Sequence, residues 1–308
     1  MEKIQMDASI SNNIELNQIA IQLAKYAQQA ILYEAVLSPK PGLVDAVDNG
    51  SHTDMTIYTF LDSSSSLFKG FVQFAQIGLS WKSTSKELLK AIRPVGVEAE
   101  KQMFEETNGI NTHKGIIFSM GLFLAAAGKV YQESKKKTDK LGRFSEQDTD
   151  KIFKEILRMT VGLVSNDFKT IKAKKKLTNG EKLYVEYGIT GIRGEAENGY
   201  PVVRRLALPQ LRKTKCEEST QVRLLDVLYQ LMAFSEDSNI LHRAGIEGLE
   251  YVQQEAEKFI KDGSMKQIKA FERVRKMNKQ FVSKQISPGG SADLLSVTLF
   301  LGKLEGII

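Results

Sequence analysis

The stretch Asn12-Asn-Ile14-Glu-Leu16-Asn-Gln-Ile19-Ala-Ile-Gln-Leu23-Ala-Lys-Tyr-Ala27-Gln-Gln-Ala-Ile31-Leu32-Tyr-Glu34-Ala35 decides the fold class. Its apolar residues recur mainly at three- and four-residue steps, the period of a half-buried helix. Asn12 followed by Glu15 reads as a capping pair at its start, and the helix is expected to end before Pro39. The same period returns over 62–79, 84–106, 112–131, 146–166, 220–235, 240–262, 264–282 and 291–303. Alternating runs of Val, Ile and Thr are scarce, so no large sheet is expected. The chain reads as all-α, a single multi-helix domain over 1–308 with a polar N-terminal tail at 1–12. Residues 132–145 are polar and lysine-rich, a surface loop. Residues 169–218 hold many Gly, Pro and charged residues with little periodicity. So long a stretch without a clear element is uncommon in a compact domain unless it is functional. A long, irregular, glycine-rich middle segment able to close over a site is therefore expected.

Composition narrows the class further. The chain has 308 residues, 42% hydrophobic and 26% charged, which excludes collagen-like, disordered and disulfide-scaffold classes. Its one cysteine, Cys216, cannot form an internal disulfide, and this points to a reducing compartment. The first dozen residues carry no continuous apolar run, and the longest apolar stretch, Gly115 to Gly128, is interrupted by Ser119 and short of the ~20 residues a bilayer needs. A cytoplasmic location with no membrane partner is expected. The charge balance is 43 basic against 37 acidic residues, net +6, with local runs at Lys135–Lys137 and at Lys172 and Lys174–Lys176. Solvated loops are the commoner reading of such runs; an attractive field for a nucleotide is the functional one. Aromatics are not interleaved with them and no zinc-finger, RNP or KH signature occurs, so no nucleic-acid partner is expected.

Polar chemistry gathers in short islands between the helical runs. In Glu34-Ala-Val-Leu-Ser-Pro-Lys40-Pro-Gly42 the alternate prolines stiffen a hook that fixes the Lys40 ammonium; a helix terminator with a solvent lysine explains it equally well. Gly50-Ser-His52-Thr-Asp54-Met55, with Asp45 and Asp48 upstream, offers imidazole and carboxylates to a divalent cation, Mg²⁺ preferring the carboxylates; a capping histidine is as common. Asp62-Ser-Ser-Ser-Ser66 has the look of an N-cap. Asn111-Thr-His113-Lys114-Gly115 opens the most apolar helix, whose free N–H groups suit a phosphate, against simple capping by Asn111 or Thr112. Gly188, Gly191 and Gly194 allow close backbone approach to a ligand, with Arg193 as a fork for phosphate and Glu195 beside it. Asp237 and Asn239 are good caps, followed by His242 and Arg243. Ser287-Pro-Gly289-Gly290-Ser291-Ala-Asp293 makes an anion nest with Ser291 as a natural N-cap; Asp293 stands where a nucleophile elbow needs glycine. No P-loop and no His-Glu-x-x-His occurs.

Taken together, the islands resemble the triphosphoribosyl-dephospho-CoA synthase family, which makes the prosthetic-group precursor of citrate lyase, with a close relative serving malonate decarboxylase. The resemblance rests on Glu34-Ala-x-Leu-Ser-Pro-Lys-Pro-Gly-Leu-Val-Asp45, Gly50-x-His-x-Asp-Met55, Asn111-Thr-His-Lys-Gly115, Gly191-Ile-Arg-Gly-Glu-Ala196, Asp237-x-Asn239 with Arg243, and Ser287-Pro-Gly-Gly-Ser-Ala-Asp-Leu-Leu295, in the family's order. Ala244 departs from the glycine expected after the arginine. The resemblance implies an all-α enzyme that moves the 5-triphosphoribosyl group of ATP to the 2′-hydroxyl of 3′-dephospho-CoA, with adenine leaving and anomeric configuration inverted. The triphosphate stays intact, which fits the missing P-loop.

That chemistry assigns needs to residue types. Breaking a ribosyl C–N bond builds oxocarbenium character, the acceptor hydroxyl needs a base, adenine leaves better protonated, and the triphosphate needs Mg²⁺ with Lys and Arg. By resemblance, Asp45, Asp54 and Asp293 are expected as metal ligands. Asp54, His52, Glu34, Asp293 and His113 are expected as catalytic groups. Lys40, Lys114, Arg193, Gly194, Glu195, Asn239, Arg243, Gly289, Gly290 and Ser291 are expected against substrate or phosphate. A homodimer is the default, and the product would pass to a separate transferase acting on an acyl carrier protein. Rival readings are a metal-dependent nucleotide or ADP-ribosyl hydrolase, a non-catalytic nucleotide-binding protein, and a helical interaction protein.

Overall fold

The computed structural model describes residues 2–134, 141–169, 171, 177–215 and 218–308, the side chains from residue 14 onward. Both lysine runs, 135–137 and 172–176, and Cys216 lie outside the described residues. Helices account for the described structure and no strand occurs among those residues, as the periodicity predicts.

Helix α1 runs Glu2–Val36, so the Asn12 start is corrected. Neither Pro nor Gly interrupts residues 2–12, and nothing there stops a helix from extending past Asn12. Its end before Pro39 is as expected. Helix α2, Ile57–Ser80, starts five residues before the predicted boundary because Thr56 and Thr59 form its capping box. Asp62–Ser66 therefore lies inside the helix, and Ser63 and Ser64 are fully buried rather than capping. Helix α3 is Ser85–Glu106 and α4 is Lys114–Glu133.

Helix α4 is the central element, packed on α1, α2, α3 and α5, and buried over nearly its whole length. It is long and apolar enough to cross a bilayer by length and composition, yet 78% of its most apolar window is buried in the fold, the mark of a core helix. Its small residues set the approach to α2. A methyl at Gly78 would lie 2.1 Å from the Ala125 carbonyl oxygen, so this helix pair touches backbone to backbone.

The predicted 146–166 helix is two, α5 (Glu146–Thr160) and α6 (Leu163–Phe168), because Gly162 takes a left-handed φ of 72° between them. The 169–218 segment also needs correction. It holds α7 (Asn179–Tyr187), α8 (Gly191–Glu197), a π turn at Val203–Ala207 and α9 (Leu208–Lys213). These pieces are too short for a periodic signal to emerge, and glycines at 188, 191 and 199 with positive φ separate them.

Helix α10 is Thr220–Phe234 and α11 is Ser238–Lys261, the latter capped by Asp237 as expected. Gly245, at φ 68° and ψ −169°, breaks α11 into a short first turn and a long second part. Helix α12, Ala270–Ser283, follows a 3₁₀ turn at Ser264–Lys266, and α13 is Gly289–Glu305. Helix α13 packs on α1, α4 and α10 and is buried almost throughout, so the start of α13 brings the last sequence island against the first and third.

Candidate active site

The site is built from the ends of helices. Lys40 follows α1 and is only 1% exposed. Its Nζ donates to the Glu34 carbonyl oxygen at 2.6 Å and to Glu34 Oε1 at 2.5 Å, and its backbone N–H donates to Asp45 Oδ2 at 2.9 Å. The ammonium turns inward to a carboxylate and not outward to a phosphate. A buried ammonium without such a partner would cost several kcal/mol, which is why it takes one.

Asp45 fastens the loop that follows. Its Oδ1 accepts the backbone N–H groups of Val47 at 2.7 Å and Asp48 at 2.9 Å. With both oxygens engaged by backbone N–H groups, Asp45 is a loop staple. Asp48 extends the loop to Asn278, whose side-chain oxygen receives the Gly42 N–H at 2.8 Å. Gly42 has φ +72°, and a methyl there would lie 2.2 Å from the Ile286 carbonyl oxygen.

That loop presents His52. Its Nε2 lies 2.8 Å from Ser287 Oγ, and its Nδ1 lies 3.7 Å from Asp54 Oδ1. Arg243 donates to the carbonyl oxygens of Ser51 at 2.5 Å and Gln285 at 3.0 Å, clamping the two loops on either side. Burial first, and then the Arg243 charge, lower the His52 pKa against the opposing pull of Asp54. His52 is therefore neutral near pH 7 and free to accept a proton. Arg243 is exposed and has no carboxylate partner among the described residues, so its charge is available to an anion.

Asp237 joins two helix starts. Its Oδ1 accepts the N–H groups of Asn239 at 2.9 Å and Ile240 at 3.3 Å, capping α11. Its Oδ2 accepts the Ser291 N–H at 2.8 Å and the Ser291 hydroxyl at 3.1 Å, serving the first turn of α13. Ser291 is thus the third residue of α13 and not its N-cap; the capping comes from another helix. Gly289 and Gly290 press against Asn239 and Asp237, where a methyl would come within 2.8 and 3.0 Å. The close approach these glycines permit is between α13 and α11. Burial raises the Asp237 pKa against the four backbone hydrogen bonds that lower it.

Asp293 lies one turn further along α13, against the start of α4. A methyl at Gly115 would sit 2.0 Å from Asp293 Oδ2. Burial, then the nearby Glu34 and Asp237, push the Asp293 pKa well above the carboxylate range. On the other side of α4's start, His113 is 4% exposed, with Nδ1 2.6 Å from Ser63 Oγ and its ring edge-on to Phe60. Burial first, then the Lys40 charge, hold its pKa at about 3, so it is neutral, and its Nε2 has no partner. It occupies the N-cap position of α4 without making a side-chain cap bond.

The remaining expected residues divide. Lys114 is exposed and ion-paired with Glu100, and Arg193 donates to Asp167 Oδ2 at 2.9 Å beside the Phe168 ring. Each already has a carboxylate partner, which offsets the charge expected for a phosphate. Gly194 is buried inside α8, a methyl there meeting the Thr190 side chain, and Asn239 is exposed at the start of α11. Glu195 is half-buried; burial and then Glu236 raise its pKa to about 7.

The structure therefore gathers Glu34, Lys40, His113, Asp237 and Asp293 into one polar cluster inside the protein. His52, Asp54, Ser287 and Arg243 form a second, more open cluster, joined to the first through residues 287–291. Asp45, Asp54 and Asp293 do not meet, and among the described residues no three His, Cys, Asp or Glu side chains come together as a metal site. Two participants escaped the sequence reading. Ser63 was hidden in a serine run taken for a cap, although four serines inside an apolar helical period are themselves a signal of buried polar contacts. Ser287 was passed over for Ser291.

Three comparisons bear on this geometry. A family model described as ATP:dephospho-CoA triphosphoribosyl transferase matches residues 20–307. A protein of Streptococcus mutans named "Probable 2-(5''-triphosphoribosyl)-3'-dephosphocoenzyme-A synthase" is 42% identical over 93% of this chain and 97% of its own length. One of the same name from Streptococcus pyogenes is 37% identical over 94% of this chain and 99% of its own. A crystal structure from Archaeoglobus fulgidus bearing a triphosphoribosyl-dephospho-CoA synthase name aligns with 80% of this chain and 100% of that one, at 16% identity and a TM-score of 0.46, too loose to carry an argument.

Proposed function

Because the chain belongs to the ATP:dephospho-CoA triphosphoribosyl transferase family and is a transferase of that kind, we propose that it joins the 5-triphosphoribosyl group of ATP to the 2′-hydroxyl of 3′-dephospho-CoA and releases adenine. The family match across 20–307 carries the reading, and the convergence of five sequence islands on the starts of α4, α11 and α13 supports it.

The chain's own residues divide the work as follows. His52, neutral, accepts the proton of the attacking hydroxyl at Nε2 by relay through the Ser287 hydroxyl that contacts it, and Asp54 stabilises the imidazolium that forms. Arg243 faces the triphosphate, being the cation of the site without a carboxylate partner among the described residues. The buried Glu34–Lys40 pair and Asp237 hold the helix starts in place. Asp293 sits against Gly115, where its carboxyl group, biased to the protonated form by burial and by Glu34 and Asp237, would hydrogen-bond the ribose.

Mg²⁺ fits this donor set in a limited way. The ion commonly keeps several waters and takes one or two carboxylates plus substrate phosphates, so the lack of a three-carboxylate cage among the described residues is compatible with it. Asp54, with a side chain 60% exposed, is the carboxylate that would hold it, beside the substrate phosphates. Bound there, it supplies charge neutralisation to the triphosphate.

The product is proposed to be the precursor of the citrate lyase prosthetic group, handed to a separate transferase acting on an acyl carrier protein; malonate decarboxylase is the other destination. A cytoplasmic homodimer is the proposed working form. Incubating the protein with ATP, Mg²⁺ and 3′-dephospho-CoA, followed by mass spectrometry, tests the reaction. Adenine plus an adduct carrying an intact triphosphoribosyl group is expected. Adenine or phosphate released equally without the acceptor would replace the proposal with a hydrolase.

A further inference from the structure

Glu195 is half-buried at the end of α8, and its Oε2 is sealed in the protein with no hydrogen-bond partner. Two buried hydroxyls that have only each other lie close enough for its charge to act on them. The Tyr200 and Ser119 hydroxyls, on residues with no solvent exposure, face one another without an ordinary hydrogen bond. Buried polar atoms are nearly always satisfied, and leaving one alone is destabilising. Their grouping marks a place built for something other than stability.

The backbone says the same. Tyr200 has φ +53°, a left-handed conformation that is a genuine outlier for a bulky aromatic residue. It is held there by Gly199 at φ +71° and by a 2.7 Å hydrogen bond from its N–H to the Glu195 carbonyl oxygen. Strain of this kind gathers at functional sites. The fold thus locks Tyr200 to the turn that carries Glu195. The charges that act here are Glu236 on Glu195, and Glu195 and Asp293 on Tyr200. Asp167, on α6 beside α8, is occupied by Arg193 and Arg93. The α8 start lies against Ser238 at the start of α11, and Glu236, whose charge acts on Glu195, directly precedes Asp237, so Glu195 lies at the edge of the helix-end site.

We infer that Glu195 is the proton donor to the departing base, with Tyr200 as its positioning residue. The inference rests on the transfer reaction proposed above. As the C1′–N9 bond breaks, its electron pair goes to the purine, and the Glu195 carboxyl proton passes to a ring nitrogen of that purine. The acceptor oxygen bonds to C1′ and its proton goes to His52; solvent returns a proton to Glu195 and takes one from His52. A carboxyl group with no basic partner and an acidic neighbour, Glu236, keeps the proton this step needs.

The test compares two donors in Glu195→Gln and in the unaltered protein: ATP, and N7-methyl-ATP, whose base leaves already cationic. Adduct formation by the unaltered protein from ATP tests the transfer reaction itself, and its absence overturns both readings. With that activity present, Glu195→Gln is expected to lose about 10²–10⁴-fold on ATP. On N7-methyl-ATP it is expected to lose less than about tenfold, which also shows that the variant is folded. The kcat for ATP should fall above about pH 7 in the unaltered protein and lose that limb in the variant. Tyr200→Phe should move this limb while leaving the KM for ATP unchanged. Equal losses on the two donors, or an unchanged alkaline limb in Glu195→Gln, overturn the inference.

Discussion

Replacing Lys40 by Met tests whether the first island is held by its buried ion pair. Lys40 and Glu34 have side chains 1% and 6% exposed, and the Lys40 Nζ serves both the Glu34 carboxylate and its carbonyl. Lys40→Met fills a similar volume but leaves a carboxylate and a carbonyl buried without a donor. Removing one partner of a buried pair costs about 3–5 kcal/mol. With a urea m-value of about 3 kcal/mol/M, the denaturation midpoint should fall by roughly 1–1.7 M. The double variant Lys40→Met with Glu34→Gln removes the stranded charge and should recover at least half of that loss. Urea titrations followed by far-UV circular dichroism measure all three proteins. A shift below roughly 0.3 M in the single variant would place the pair with exposed ion pairs, worth about 0–1 kcal/mol. A double variant no more stable than the single would refute the role given to the charge.

Other outcomes follow from the same geometry. Asp54→Asn should abolish turnover yet change stability by no more than about 0.5 kcal/mol, since the side chain is largely exposed; near-normal activity would remove Asp54 from the site. Gly115→Ala places a methyl 2.0 Å from Asp293 Oδ2, so kcat should drop about 10²-fold as the carboxyl is displaced by an ångström or so, measured by adenine release. His52, with its lowered pKa, should keep kcat/KM level from pH 7 down past 6.5 and lose activity only at lower pH; His52→Gln should erase that acid limb. His113 is neutral in the fold with a pKa of about 3 and titrates near 6.5 when unfolded. Between those values the unfolded chain binds the extra proton, so stability should fall as pH drops through that window, by up to about 1.4 kcal/mol per unit, and His113→Asn should flatten the dependence of the urea midpoint on pH.

Long helices were legible in the sequence because each buries one apolar stripe, and periodicity reports that stripe directly. The pieces between 177 and 213 were not, since a helix of six to nine residues shows barely two turns of any pattern. The islands at 34–45, 111–115, 237–243 and 287–293 were visible as polar interruptions, and the fold brings them together. What residue types could not convey was direction. Lys40, Lys114 and Arg193 are the cations a triphosphate would want, yet each is turned to a carboxylate, Glu34, Glu100 or Asp167. Asp45 reads as a ligand until Oδ1 is seen to accept backbone N–H groups two and three residues on and Oδ2 the one of Lys40, five residues before. Asp237 reads as an ordinary cap, because nothing local announces that it also serves Ser291, 54 residues away.

The break at Gly245 works as a joint in α11. Seven residues before it take their bearing from Asp237 and carry Asn239 and Arg243 to the site, while the longer part beyond buries Leu249, Val252, Ala256 and Phe259. An unbroken helix would act as a lever, and any repacking of those four side chains would swing the site end through an arc. With the joint, the anchoring part can shift in the core while the working end stays clamped to the start of α13. Anchoring and chemistry thus occupy one helix without sharing one rigid rod.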